Sequence, residues 1–219
     1  MAAIPPTRRI PAASVAAIVL LTAATGFAIL AFLGRISLVA EAPSADGSVF
    51  YLVPYHYGFA AYDGQFREVE RIEVEEGAAV SLHIVPALAL AHETFLAYAE
   101  RTVRAGIGGR PPGDPEIRRR IEEDLRLGDV EHIIGITAHA VHVTTNVAEA
   151  LGGRSFREGA PRTVREAVER RDPSIKTVTF TAKRVGEFDV LCVDSGIGGE
   201  GTCGWGHQWM VAKKALAVR

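Results

Sequence analysis

The sequence predicts a mainly β domain, a sandwich or barrel with helical insertions, preceded by one N-terminal transmembrane helix. Three observations carry that prediction. An uncharged apolar run lies between Arg9 and Arg35, short strand-like segments bounded by turn residues recur from residue 48 to residue 218, and two stretches, at about 87–127 and 148–172, switch to helical texture. With 219 residues, 48% of them hydrophobic, the chain can bury a sizeable core, and its length suits one domain plus extras. Lys and Arg total 24 against 26 Asp and Glu, a net charge of -2, so no electrostatic footprint for nucleic acid exists and that class of partner is set aside.

A helix needs about 20 apolar residues to cross the hydrocarbon layer, and residues 13–34 supply them. Arg8 and Arg9 precede the run, while the chain after Arg35 turns acidic at Glu41 and Asp46. The positive-inside tendency therefore leaves the N-terminus in the cytoplasm and the bulk of the chain on the periplasmic or extracytoplasmic side. A cleaved signal peptide is the competing reading, but its apolar region is shorter, about 7–15 residues. Residues 1–35 are read as an uncleaved anchor, 36–47 as a linker containing Pro, Ser, Asp and Gly, and 48–219 as the folded domain.

Within that domain, residues 48–60 read as one aromatic-rich strand, and 71–74 and 79–85 as two short alternating strands around the Glu76-Gly77 turn. Phe95, Leu96, Ala99 and Val103 then recur at helical spacing, as do Ile117, Ile121 and Leu125 beyond the glycine- and proline-rich breaker at 108–113. Two amphipathic helices follow from this. Strand texture returns at 130–147, a further helix is expected at 162–170, and strands at 177–183, 187–192 and 211–218 close the domain.

The chemistry-bearing cluster is Cys192, Cys203, His207 and Met210, spaced C-x10-C-x3-H-x2-M at the end of one strand and in the loop to the next. Thiolate and thioether are soft ligands and imidazole is borderline, a combination that selects copper over magnesium or calcium. Iron-sulfur clusters usually take four cysteines, and structural zinc prefers Cys/His sets without Met. A Cys, a His and a Met from one loop, completed by a histidine from a distant strand, form the ligand set of copper electron-transfer sites.

The segment Cys-Gly-Trp-Gly-His-Gln-Trp-Met, from Cys203 to Met210, resembles the loop of cytochrome c oxidase subunit II that binds the dinuclear CuA centre. Residues 179–192 are similar to the strand-turn-strand that feeds that loop, Asp129-Val130-Glu131-His132 to the family's Asp-Val-x-His, and 72–77 to its early strand and turn. A single N-terminal span matches the single-span branch of the family. The resemblance implies a cupredoxin-like Greek-key sandwich or barrel in which Cys192 and Cys203 bridge two coppers, His132 and His207 are the terminal imidazole ligands, and Met210 is a weak axial ligand. It also implies an electron-transfer subunit that takes electrons from cytochrome c or another soluble donor and passes them to a haem-bearing membrane subunit I. Catalysis would belong to that complex, since the chain shows no nucleophile-base motif of its own. Ten residues, 193–202, separate the two cysteines, more than in the family, and Asp194 or Glu200 is placed to intrude as a ligand.

Several alternatives stay open on the residues alone. Cys192 and Cys203 would form a disulfide in an oxidising compartment, or His132, Cys203, His207 and Met210 would hold one copper. A subunit of a nitric oxide reductase of the haem-copper superfamily and a membrane-anchored copper-binding or copper-delivery protein are the corresponding functional alternatives. His142 shares the parity of His132 and is a candidate for the same face, with His139 beside it. His56, His83 and His92 have no motif around them. Trp205 and Trp209 flank His207 as shields or packing anchors, Phe59 is expected as a wall of the site, and the charged stretch 116–126 reads as a solvated helix face or a docking face.

Overall fold

A computed structural model describes residues 48–127, 132–136, 138–145, 156–193 and 209–219. The expected span at 13–34, the linker and part of the second insertion lie outside them. Among the described residues no helix is long and apolar enough to cross a membrane.

Two five-stranded sheets form the framework. The first has the order β3-β2-β1-β5-β8, from β1 (Ser48–Tyr55), β2 (Gly58–Asp63), β3 (Glu68–Val69), β5 (Ala79–Ile84) and β8 (Lys176–Thr181). The second has the order β4-β10-β9-β6-β7, from β4 (Ile72–Val74), β6 (His132–Ile136), β7 (Val141–Thr145), β9 (Gly186–Cys192) and β10 (Val211–Val218). The pairs β1/β5 and β4/β10 are parallel and the remaining pairs antiparallel. Leu52, Leu82 and Ile84 of the first sheet meet Ile72, Ile134, Ile136, Val190 and Leu216 of the second in one core, so the expected sandwich forms. Alternation supplies this core: Val80, Leu82 and Ile84 face inward along β5, and Ile134 and Ile136 along β6.

The stretch 48–60 is not one strand, as the sequence suggested. The chain reverses at His56-Tyr57, pairing Tyr55 with Gly58, and the positive φ of this two-residue turn falls on Tyr57 at 66°. Tight hairpin turns usually carry Gly, Asn or Asp at such a position, so an aromatic there leaves no turn signal. Strand texture at 130–147 likewise resolves into the hairpin β6/β7.

The first insertion forms a short 3-10 turn and the helices α1 (His92–Ala105) and α2 (Pro115–Leu127), and the second contributes α3 (Val164–Glu169). Asp114 starts α2, its carboxylate accepting the Glu116 amide at 2.8 Å before Pro115 at the first turn. Thr163 caps α3 by accepting the Glu166 amide at 3.1 Å. Phe95, Val103, Ile117, Ile121, Val164 and Ala167 pack on Tyr51, Val53 and Ala60, the outer side of the first sheet. Tyr51 to Pro54 are consequently buried without a break, because β1 is covered on both faces. The charged side of α2 pairs mostly within itself, Arg119 with Glu116 and Glu123, and Arg120 with Glu116, which is the solvated face expected from its sequence. Those hydrogen bonds from Arg119 and Arg120 pull the Glu116 carboxyl down to about 2.

Leu216 is fully buried between the sheets, whereas Leu96 is 48% exposed on α1. Leu216→Ala should lower the unfolding free energy by about 2–5 kcal/mol, and Leu96→Ala by about 0.5 kcal/mol or less. Urea titration followed by circular dichroism measures both, and equal losses would contradict this placement of the core.

Candidate metal centre

His132 opens β6 and is 1% exposed. Its cross-strand partner is Thr145, the last residue of β7, whose hydroxyl accepts the His132 amide and donates to the His132 carbonyl, both at 3.2 Å. The hydroxyl thus closes the strand end with side-chain hydrogen bonds. Thr145 was not singled out in the sequence, because finding it requires the register of the β6/β7 hairpin.

Cys192 ends β9, 5% exposed, with Ile134 as its partner on β6. Directly opposed residues of an antiparallel pair share a face, and so do residues two apart on a strand, so Cys192 and His132 lie on the same face of the second sheet. Met210, fully buried, immediately precedes β10, and its carbonyl accepts the Cys192 amide at 3.0 Å. Continuing the Leu191–Val211 register by one residue sets Met210 against Cys192. Three adjacent strands thereby bring an imidazole, a thiol and a thioether to one end of the sheet. Phe59 of β2 and Ile133 of β6 pack against Cys192 and Met210.

This donor set fits copper, since a soft thioether and thiol beside a borderline imidazole, set in apolar surroundings, match its ligand preferences. Cys203, His207, Asp194, Glu200 and Trp205 lie outside the described residues. Among the described residues no group of three or more His, Cys, Asp or Glu converges on one point.

The other histidines separate from this end. His142 is opposite Gly135 in the hairpin register, whereas His132 is opposite Thr145, so His142 points to the other face of the sheet, where it is exposed. Equal parity on two strands guarantees a common face only if the turn between them preserves it, and here odd residues of β7 oppose even residues of β6. His139 sits in the β6–β7 turn at the opposite end of β6 from His132, with ring centroids 4.6 Å from Phe188 and 5.4 Å from Phe180. His56 packs edge-on to Tyr57 and Phe95, and His92 lies 4.5 Å from Phe156. His83 bonds Thr177 at 2.8 Å and stacks on Tyr51.

Burial lowers the pKa of His83, and burial is likewise the leading cause of a lowered value at His139. An unfolded chain protonates these rings near their ordinary value of 6.5, before the folded chain does. Stability is therefore complete above that value and falls as pH drops through it toward the depressed folded values. Denaturation midpoints compared between pH 7.5 and 5.5 should show that loss, and His139→Phe should reduce it; an unchanged slope would remove His139 from the account.

No family model matches the sequence, and no curated protein matches it. Among solved structures, the protein is similar to a chain in the cryo-EM structure of a haem-copper terminal oxidase dimer, at 13% identity and a TM-score of 0.40, over 95% of this chain and 100% of that one. It is also similar to a chain in the crystal structure of the mixed disulfide intermediate between a thioredoxin-like protein and subunit II of cytochrome c oxidase. There the identity is 10% and the TM-score 0.38, over 83% of this chain and 87% of that one.

Proposed function

We propose that the protein is a copper-binding electron-transfer subunit of the cytochrome oxidase subunit II type. The observation that carries this reading is the burial of His132, Cys192 and Met210 on one face, at one end of three adjacent strands. The sequence completes the set with Cys203 and His207, which follow Cys192 in the same inter-strand segment. Copper bound there would supply a one-electron couple at neutral pH.

The protein's own part is to hold the donors and keep water away. Cys192 and His132 are fixed by strand register, and Met210 by its carbonyl bond to the Cys192 amide. Phe59 and Ile133 give this end an apolar lining, which favours soft ligands over water and limits rearrangement between redox states. Two thiolates, Cys192 and Cys203, suit a dinuclear centre, with His132 and His207 as outer ligands and Met210 as a weak one. In this reading residues 13–34 anchor the chain with its copper domain outside the cytoplasm. The donor is cytochrome c or a similar soluble carrier, and the acceptor is a haem-bearing membrane subunit.

Copper stoichiometry and the electron paramagnetic resonance spectrum of the full chain, purified in detergent and reconstituted with copper, test the proposal. Two coppers per chain with a seven-line signal support the dinuclear form, and one copper with a four-line signal a mononuclear form. Cys192→Ser should abolish the seven-line dinuclear signal, leaving Cys203 as the one thiolate that absorbs, and His142→Gln should leave the wild-type spectrum intact. A wild-type chain that binds no copper would end the electron-transfer reading.

A further inference from the structure

Trp209 immediately precedes Met210 and is 42% exposed, yet its indole is not simply loose on the surface. One face of the ring lies on Gly108, in the turn between α1 and α2. A Cβ placed on Gly108 would come within 2.6 Å of Trp209 Cε3 and Cζ3 and 2.8 Å of Cδ2, too close for non-bonded carbons unless the ring shifts. Gly108 and Gly109 form the tip of this turn at φ 59° and 80°, closed by the Arg110 amide donating to the Ile107 carbonyl at 2.9 Å. The turn is itself anchored: Ile107 is buried, the Gly106 amide donates to Thr102 at 2.9 Å, and the Gly113 amide donates to Val103 at 2.7 Å.

We propose that Gly108 is a positioning residue: the turn of the first helical insertion seats the Trp209 indole and, through it, holds Met210 at the end of β9. Trp209 and Met210 share a peptide bond, and the Met210 carbonyl is held from the other side by the Cys192 amide. The segment that delivers the thioether is therefore clamped between a helical turn and a strand end. Gly108 serves two requirements at once, a left-handed backbone and a bare surface for the ring, whereas Gly109 serves only the first, since nothing lies within 4 Å of a Cβ there. The significance for a metal rests on the copper reading, in which the axial thioether tunes the redox potential and its placement matters. The seat itself requires no metal.

The difference between the two glycines is the test. The chain has two methionines and two tryptophans, so methyl-13C methionine labelling with Trp205→Phe leaves Met210 and Trp209 as separate reporters in the full metal-free chain in detergent. Gly108→Ala should red-shift Trp209 emission, increase its quenching by iodide and move the Met210 methyl resonance, while Gly109→Ala leaves all three in place. Trp209→Ala should also move the Met210 methyl, and adding Gly108→Ala to it should move the methyl no further, a non-additivity that guards against Gly108→Ala failing to fold alone. Equal responses to both glycine variants, or an unmoved Met210 methyl in Gly108→Ala and Trp209→Ala alike, would overturn the proposal. Copper is then added to the same chains: failure of every chain to bind it defeats the copper reading and leaves the metal-free result standing, while a reduction potential shifted by Gly108→Ala and not by Gly109→Ala supports both.

Discussion

The pairing of β9 with its two neighbours is the constraint on which the candidate centre depends. Ile134 opposes Cys192 on one side, and on the other the Cys192 amide reaches Met210. A slip of one residue would turn Cys192 to the far face and bring Leu191 inward, so the common face of His132, Cys192 and Met210 depends on this register. What enforces the register is apolar burial further along the same strands, at Val190, Ile134, Ile136 and Leu216. Each such side chain contributes roughly 1.5–3 kcal/mol when buried, so the slipped alternative loses several of these terms at once. The chemistry at one end of the sheet is thus specified by packing in its middle.

The helical insertions enter the same account from the opposite side. By packing on Tyr51, Val53 and Ala60 they turn the first sheet into an internal layer, with cores on both faces. That layer carries Phe59, which reaches across to Cys192 and Met210. The first insertion also approaches from the turn at Gly108, where it meets Trp209. One approach ends on Cys192 and Met210 and the other on Trp209, the chain neighbour of Met210, so the insertions are structural neighbours of the candidate centre rather than remote decoration.

How far the sequence reveals this arrangement depends on the kind of signal each feature leaves. Period and breakers expose the strands β5, β8, β9 and β10 and the helices α1 and α2, because each has a single buried face or a marked end. They fail at β1 and β2, where burial on both sides erases alternation and Tyr57 takes a backbone conformation usually left to glycine or asparagine. His132, Cys192 and Met210 are legible as residue types and spacings, but their common face is not, since it follows from hydrogen-bonded register. The same limit hides Thr145 and misplaces His142: a parity count cannot cross a turn of unknown length. Trp209 is visible as an aromatic near His207, and its contact with Gly108, about a hundred positions earlier in the chain, leaves no trace in local pattern.

The order of strands in the second sheet also bears on biosynthesis. Ile72 of β4 pairs with Leu216 of β10, so among the described residues one of the earliest strands waits for the last before it gains a hydrogen-bonded neighbour. Until β10 emerges, β4 and one side of β9 remain open edges, while the first sheet and its helices can already associate. Closure of the long loop between β4 and β10 and delivery of Met210 to Cys192 then come together as a late step of maturation. During that interval Cys192 stands at an open edge of β9 and gains its hydrogen bond to Met210 only when β10 docks.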